Sequence, residues 1–474
     1  QAVMRFLPFA DITSAELSMA RIMRLSLFQI SVGMATVLLT GTLNRVMIVE
    51  LGGQAWMVAL MVAIPLLFAP FRALIGHRSD NHVSVFGWRR GPYIWFGSLF
   101  QFGGLAVMPF ALLVLSGYGA GPEWTGYVGA ALAFLLVGAG MHTVQTAGLS
   151  LATDIAPPEA RPRLVALLFM MLLFGMAISS LFFGLLLRDF SQMRLIQIIQ
   201  GSAVVTIVLN TIALWKQEGR QLSPRRQIRA SEPNPENNKS TPSFEEAWRT
   251  LTRVPGVRRL LIATGLGAGA FGMQDVLLEP YGGEVLGMSV SGTTLLTAVF
   301  AIGSIVGFSL PTRLLARGNE THRIAGLGAL VGVIGFTAII LSATLTWTPL
   351  FVSGVALVGL GGGGFAVCTL ISIMATARET DSGIAIGSWG AVQASCTGGA
   401  VLLGGVLRDL VASAANNGWL GPALSGPTIG YSAVYSIEIV LLFAALVAIG
   451  PLAKHEKNPK SPKMERLEIQ AFPN

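Results

Sequence analysis

The chain has 474 residues, 53% of them hydrophobic and only 12% charged, about half the charged fraction of an ordinary soluble domain. This excludes a water-soluble globular enzyme, a disordered chain and a fibrous repeat. At about 20 apolar residues per crossing it leaves room for about a dozen membrane helices. The net charge of +8 would suit nucleic acid, but its distribution points to membrane topology instead.

In chain order, apolar runs fall at about 25–48, 56–76, 93–116, 127–152, 164–187 and 194–215, and again at about 259–280, 290–312, 323–345, 349–376, 383–406 and 428–452. The stretch 216–258 between the two sets is polar, and Ser231-Glu-Pro-Asn-Pro-Glu236 within it reads as loop. The pattern predicts an all-α membrane protein of twelve transmembrane helices in two six-helix halves. The segments are 1–24, an N-terminal segment with a candidate interfacial helix; 25–215, the first half; 216–258, a linker; 259–452, the second half; and 453–474, a basic tail.

Lys and Arg collect on the cytoplasmic side of a membrane protein. Here they fall on alternate loops: Arg72, Arg78, Arg89 and Arg90 after the second run, Arg161 and Arg163 after the fourth, then the linker, Arg313, Arg317, Arg323 and Arg378, and the tail. With the N-terminal arginines, 28 of the 32 basic residues share one side. Arg188, Arg194 and Arg408 take the other, and Arg45 lies within the first run near its outer end. Both termini and the linker are thus expected in the cytoplasm, and nucleic-acid binding is not expected. No signal peptide is evident at the N-terminus, so the first run is expected to stay in the membrane. Ser243-Phe-Glu-Glu246 fits a capping box. Phe244, Trp248, Leu251 and Val254 follow at helical spacing, as in an amphipathic surface helix that bridges the halves or docks a partner. Thr13-Ser-Ala-Glu16 offers a similar start before the first run.

The two halves echo one another. Pro70-Phe-Arg72 matches Pro311-Thr-Arg313, and Gly41-Thr-Leu-Asn44 before Gly52-Gly53 matches Gly272-Met-Gln-Asp275 before Gly282-Gly283. Parallel repeats of this kind characterise the major-facilitator arrangement. The loop after the second run, Gly76-His-Arg-Ser-Asp80 then Gly87-Trp-Arg89-Arg90, resembles the major-facilitator loop signature, with a longer gap and Trp88 inserted. With Asp154, Glu159 and Arg161 in the loop before the fifth run, these residues predict a cytoplasmic latch in which acids and cations pair across helix ends.

The wording of several stretches is more specific. Ser79-Asp-Asn-His-Val-Ser-Val-Phe-Gly-Trp-Arg-Arg-Gly-Pro-Tyr-Ile-Trp-Phe96, Arg24-Leu-Ser-Leu-Phe-Gln-Ile-Ser-Val-Gly33, Gly41-Thr-Leu-Asn-Arg-Val-Met-Ile-Val-Glu50 and Gly272-Met-Gln-Asp-Val-Leu-Leu-Glu-Pro-Tyr-Gly282 resemble the PucC/LhaA family of light-harvesting complex assembly proteins, the bacteriochlorophyll delivery branch of the major facilitator superfamily. The resemblance implies a multi-pass protein of the bacterial photosynthetic (intracytoplasmic) inner membrane. It implies light-harvesting α and β polypeptides as partners, without separating core from peripheral antenna. It also brings in the reaction centre–core antenna complex or bacteriochlorophyll synthesis enzymes as further partners, membrane lipids as surroundings, and bacteriochlorophyll as the bound or transferred pigment.

Ionisable groups at membrane depth are functional candidates because burying them is costly. Asn44, Arg45 and Glu50 in the first run face repeat-equivalent Gln274, Asp275 and Glu279 in the seventh. Arg45 is expected to pair with Asp275 or Glu279, as a structural bridge or as a coupling site. His142, with Gly138 one turn before it and Gln145 after it, is the one histidine well inside a run. It is either a packed, hydrogen-bonded histidine or a ligand to a pigment magnesium. The run Gly359-Leu-Gly361-Gly-Gly-Gly364 predicts close helix packing or a kink. Cys368 and Cys396 form no disulfide scaffold or metal motif, and no HExxH, nucleophile elbow or P-loop is present. No catalytic residue, metal site or enzyme activity is expected. The leading expectation is an antenna assembly factor; the alternative is a proton-coupled small-solute transporter.

Overall fold

A computed structural model describes residues 18–67, 88, 90–117, 122–156, 161–215, 217, 249, 251–316, 318–376, 382–421, 424, 426 and 428–456. All regular structure among them is helical. The helices are α1 (Met19–Glu50), α2 (Ala55–Leu67), α3 (Gly91–Leu115), α4 (Glu123–Ile155), α5 (Arg161–Leu186), α6 (Gln192–Leu214), α7 (Val257–Glu284), α8 (Val290–Ala316), α9 (Thr321–Thr344), α10 (Thr348–Thr376), α11 (Ser382–Asn416) and α12 (Thr428–Glu456). Eleven are long and apolar enough to cross a membrane; α2, over its described residues, is shorter. In a bilayer each backbone polar group must be satisfied within the segment, which makes the helix the default for such runs.

Local chemistry sets the helix ends. Ser18 caps α1 by accepting from the Arg21 N–H at 3.4 Å, and Ser191 caps α6 by accepting from the Arg194 N–H at 3.2 Å. The helical chain thus starts at Met19, ahead of the apolar run that marks the first span. The Arg21 side chain donates to the Gln217 carbonyl at 2.7 Å, and the Gln217 amide donates back to the Arg21 carbonyl at 3.1 Å, tying the start of α1 to the end of α6.

The chain divides into two compact units: Gln1–Thr241 with Val276–Ala298, and Pro242–Asp275 with Val299–Asn474. In the first, α1 packs against α4, α5 and α6, and α3 packs along α4. In the second, the part of α7 up to Asp275 packs against α10, α11 and α12, and α9 packs along α10. α1 and α7 are the most buried spans, at 72% and 67% of their apolar windows, so their polar residues are shielded from lipid.

The glycine run of α10 serves packing. A side chain at Gly361 would meet the Gly328 carbonyl and Gly332 amide of α9, and one at Gly363 would meet the Ser304 backbone of α8. The run stays helical through Thr376. Of the expected surface helix, Arg249 and 251–253 are helical. Leu251 is fully buried in a cluster with Val257, Leu260, Leu370, Ile373 and Trp389, and Val254 packs on it. That end of the linker therefore docks its apolar face on protein. Phe244, Trp248, both candidate capping boxes and the basic tail from 457 lie outside the described residues.

Candidate functional site

The first unit builds a polar site around an irregular stretch of α1. Helical geometry gives way to π-helix at Val37–Thr42 and again at Val46–Glu50, with Asn44 and Arg45 between. Such π segments are rare and concentrate at functional positions. Arg45, 3% exposed, donates through Nη1 to Glu50 at 2.5 Å and through Nη2 to the Met288 carbonyl at 3.1 Å. Gly283 makes room for this guanidinium, since a Cβ there would press on Arg45 Nη2 and Nε. Glu279, also buried, accepts from Thr297 Oγ1 at 2.6 Å through Oε1, while Oε2 has no hydrogen-bond partner. Arg45 forms no hydrogen bond to Glu279. The direct partner of Arg45 is therefore Glu50 on its own helix. Gly41 gives the Glu279 carboxyl its space on α1.

Asn44 Nδ2 donates to the Val276 carbonyl at 2.8 Å. That acceptor is free because α7 breaks: α-helix ends at Met273, Gln274–Val276 form a 3₁₀ turn, and helix resumes at Leu278. A carbonyl released by such a break needs a donor when buried. The echo between the first and seventh runs thus coincides with irregular backbone in both helices.

In the second unit the same break carries Gln274 and Asp275. Gln274 Nε2 donates to Asp275 at 2.7 Å and to the Phe271 carbonyl at 3.3 Å. Glu438 lies on α12, which packs against this part of α7, and is a residue the sequence reading passed over. Glu438 is fully buried, with no side-chain donor on its carboxyl oxygens. It stands alone in Ser436-Ile-Glu438-Ile-Val440. The signal that could have found it is the rule applied to Asp275, an acid within an apolar span.

His142 is half-buried on α4, and its carbonyl accepts from Thr146 Oγ1 at 2.7 Å. The space above Gly138 is taken by Pro65 of α2, so that glycine admits a helix. Gln145 turns to Gln29 of α1 at 3.4 Å. Nearby runs a neutral network that sequence reasoning missed. Ser31 Oγ donates to Asn210 Oδ1 at 2.7 Å, Asn210 Nδ2 donates to Ser98 Oγ at 2.8 Å, and Gln101 donates to the Ser31 carbonyl at 3.1 Å. These uncharged residues join α1, α3 and α6; their spacing carries no motif.

Of the latch residues, Arg90 and Asp154 meet: Nε lies 3.1 Å from Oδ2, joining the start of α3 to the end of α4. Gly76, Asp80, Gly87, Arg89 and Glu159 lie outside the described residues, and Arg161 is described only as the first residue of α5.

The second unit also carries an apolar groove of about 890 Å³ lined by α7, α11 and α12, with Gly265, Gly269, Gly399, Met273, Leu403 and Leu441 in its lining. Arg258 and Thr252 stand at one end. Ile262 and Leu403, which line it, are more than half exposed.

The sequence profile of the PUCC protein family matches residues 42–457. This chain belongs to the PUCC family. It is 54% identical to Protein PucC of Rhodovulum sulfidophilum, over 86% of this chain and 89% of that one. It is 51% identical to the uncharacterized protein in the puhA-bchM intergenic region of Rhodobacter capsulatus, over 99% and 97%. PUCC membership supports a role in light-harvesting complex biogenesis in photosynthetic bacteria. Among solved structures the chain is similar to a bacterial homolog of the human lysosomal transporter Spinster, with a TM-score of 0.66 at 15% identity, covering 92% of this chain and 96% of that one. That likeness shows the fold, which is major-facilitator-like as the repeat and loop signature predict.

Proposed function

We propose that this protein is a photosynthetic antenna assembly factor that binds light-harvesting α and β polypeptides within the inner photosynthetic membrane, with both termini cytoplasmic. The observation that carries the reading is the PUCC match over nearly all the membrane-spanning chain. Bacteriochlorophyll is its cargo. A flat macrocycle with a long apolar tail partitions into lipid unaided and needs orientation and protection. The groove on α7, α11 and α12 offers both, with glycines against which a ring can lie flat and Met and Leu side chains for the tail. The groove lining contains no histidine, which leaves the pigment magnesium open to a ligand supplied by the antenna polypeptide.

The test is purification in mild detergent from pigmented cells, with an absorption spectrum and peptide identification. Antenna peptides and pigment are expected to co-purify. Gly269→Leu and Gly399→Leu together are expected to remove the pigment while leaving the protein folded. Pigment retained stoichiometrically without antenna polypeptides, and lost in His142→Ala, would place it on α4 instead. A second reading, a proton-coupled transporter of a small solute, is favoured by the acids beside the α7 break and by the fold. Solute-dependent proton flux in proteoliposomes would support it over the first.

A further inference from the structure

The groove of the second unit has a charged end that the pigment reading leaves unused. Arg258, Leu261, Gly265, Gly269 and Met273 line it from α7, at intervals of three and four residues that keep one helix face turned into it. From Arg258 to Met273 that face runs about 22 Å. α11 contributes lining from Val392 to Leu403. Ile262 and Leu403 are more than half exposed, so the groove opens sideways, on helices long and apolar enough to cross a membrane.

The charge at the linker end of the groove has one sign. From Arg249 to Gln274 the chain holds Arg249, Arg253, Arg258 and Arg259 and no acid. Arg259 is committed to protein, its Nε donating to the Ala448 carbonyl of α12 at 2.8 Å. Arg258 lines the groove itself and is exposed, and none of the ion pairs among the described residues of this unit uses it. α7 starts at Gly256 without a side-chain cap and with no acid in its first turn, so the helix start adds to the attraction for an anion. The tail, with Lys457, Lys460, Lys463 and Arg466, is itself basic and does not complement Arg258.

A wholly apolar occupant would leave the charge of Arg258 uncompensated, whereas an amphiphile with an anionic head matches both the groove and its end. What enters sideways comes from the bilayer, and the bilayer molecules of that chemistry are the acidic phospholipids. One leaflet is half of a hydrocarbon core of about 30 Å, so a chain that enters beside Arg258 finds apolar lining along its whole length. We propose that this groove binds an anionic phospholipid, with one acyl chain along α7 and the phosphate at Arg258. The inference goes beyond antenna assembly, because it concerns what holds the groove in the pigment-free protein.

The experiment uses the full chain without pigment or antenna polypeptides, so its failure would leave the assembly reading standing. The protein is stripped of lipid in detergent, then titrated with fluorescent phosphatidylglycerol or with phosphatidylcholine carrying the same chains. The wild type is expected to bind phosphatidylglycerol saturably and about fivefold more tightly than phosphatidylcholine, the worth of one arginine at an anionic headgroup. Arg258→Gln, at an exposed position, is expected to bring the two lipids to the same affinity. Gly269→Leu with Gly399→Leu fills the groove and is expected to weaken both. If that pair does not fold, Gly399→Leu alone carries this arm, since nothing lies within 4 Å of a Cβ there. Equal affinity for the two lipids in the wild type would overturn the proposal. So would a preference for phosphatidylglycerol that survives Arg258→Gln, or binding that is undiminished once the groove is filled.

Discussion

In the first unit a buried acid, Glu279, lies beside a buried cation, Arg45, which is bonded in turn to Glu50 and to a main-chain carbonyl. In the second, Glu438 lies as deep with no side-chain donor on its carboxyl oxygens. The first arrangement gives its cation a fixed partner, the Glu50 carboxylate. The second has a neutral donor, the Gln274 amide, on Asp275 and no cation hydrogen-bonded to Glu438. Equal burial of carboxyl groups therefore does not imply equal function; what matters is the partner that folding places alongside.

The sharpest way to break this contrast is Arg45→Ala. Removing one member of a buried pair costs about 3–5 kcal/mol. The lower end is expected because Glu50 is 37% exposed and partly screened. Thermal unfolding in detergent measures it. The double variant Arg45→Ala with Glu279→Gln is expected to recover part of the loss, and strictly additive losses would mean that Glu279 does not couple to Arg45. Next is Glu279→Gln alone. It keeps one acceptor for Thr297 and replaces a buried acid by a neutral group of the same shape, so a loss of about 0.5–1.5 kcal/mol is expected, the net range for one hydrogen bond. Asp154→Asn tests the Arg90 pair at the end of α4. Its carboxylate is 48% exposed, so a loss near 1 kcal/mol or less is expected, and less still in high salt. The smallest effect is assigned to Glu438→Gln. With no cation bound to the carboxyl, replacing it by a neutral group of the same shape is expected to change stability by less than about 1 kcal/mol, in either direction. A loss as large as that of Arg45→Ala would mean that Glu438 has a fixed partner, and the contrast would collapse. Cysteine labelling from each side of the membrane completes the set: a linker cysteine is expected to react only from the cytoplasm.

Much of this architecture is written in elementary composition. Long apolar runs must become helices in lipid, and their echo at Gly41–Asn44 and Gly272–Asp275 marked the two helices whose backbone turns out to be irregular. The polar candidates Asn44, Arg45, Gln274, Asp275 and Glu279 were legible because any such residue at depth is conspicuous. Their partners were not. Arg45 was expected to reach Asp275 or Glu279, yet it bonds Glu50, five residues along, because the π-helical turn at Val46–Glu50 resets which side chains share a face. Glu438 went unremarked because its neighbours are distant in sequence and its own segment has no repeat-equivalent acid. A glycine at 138 leaves room for a flat macrocycle or another helix, and Pro65 of α2 takes that space.

What the sequence alone determined is the solvent, the helical class, the repeat and the family. Each follows from residue type and order: apolar length, charge placed on alternate loops, and stretches such as Gly41–Glu50 and Gly272–Gly282. What only the tertiary structure decided is which buried polar groups are compensated. That depends on atoms brought within a few ångströms across helices: Asn44 to the Val276 carbonyl and Glu279 to Thr297. Electrostatic energy in a low-dielectric interior falls with distance and rises steeply with desolvation. The chemistry of these acids is therefore set by three-dimensional proximity, which residue order along a single chain does not encode directly.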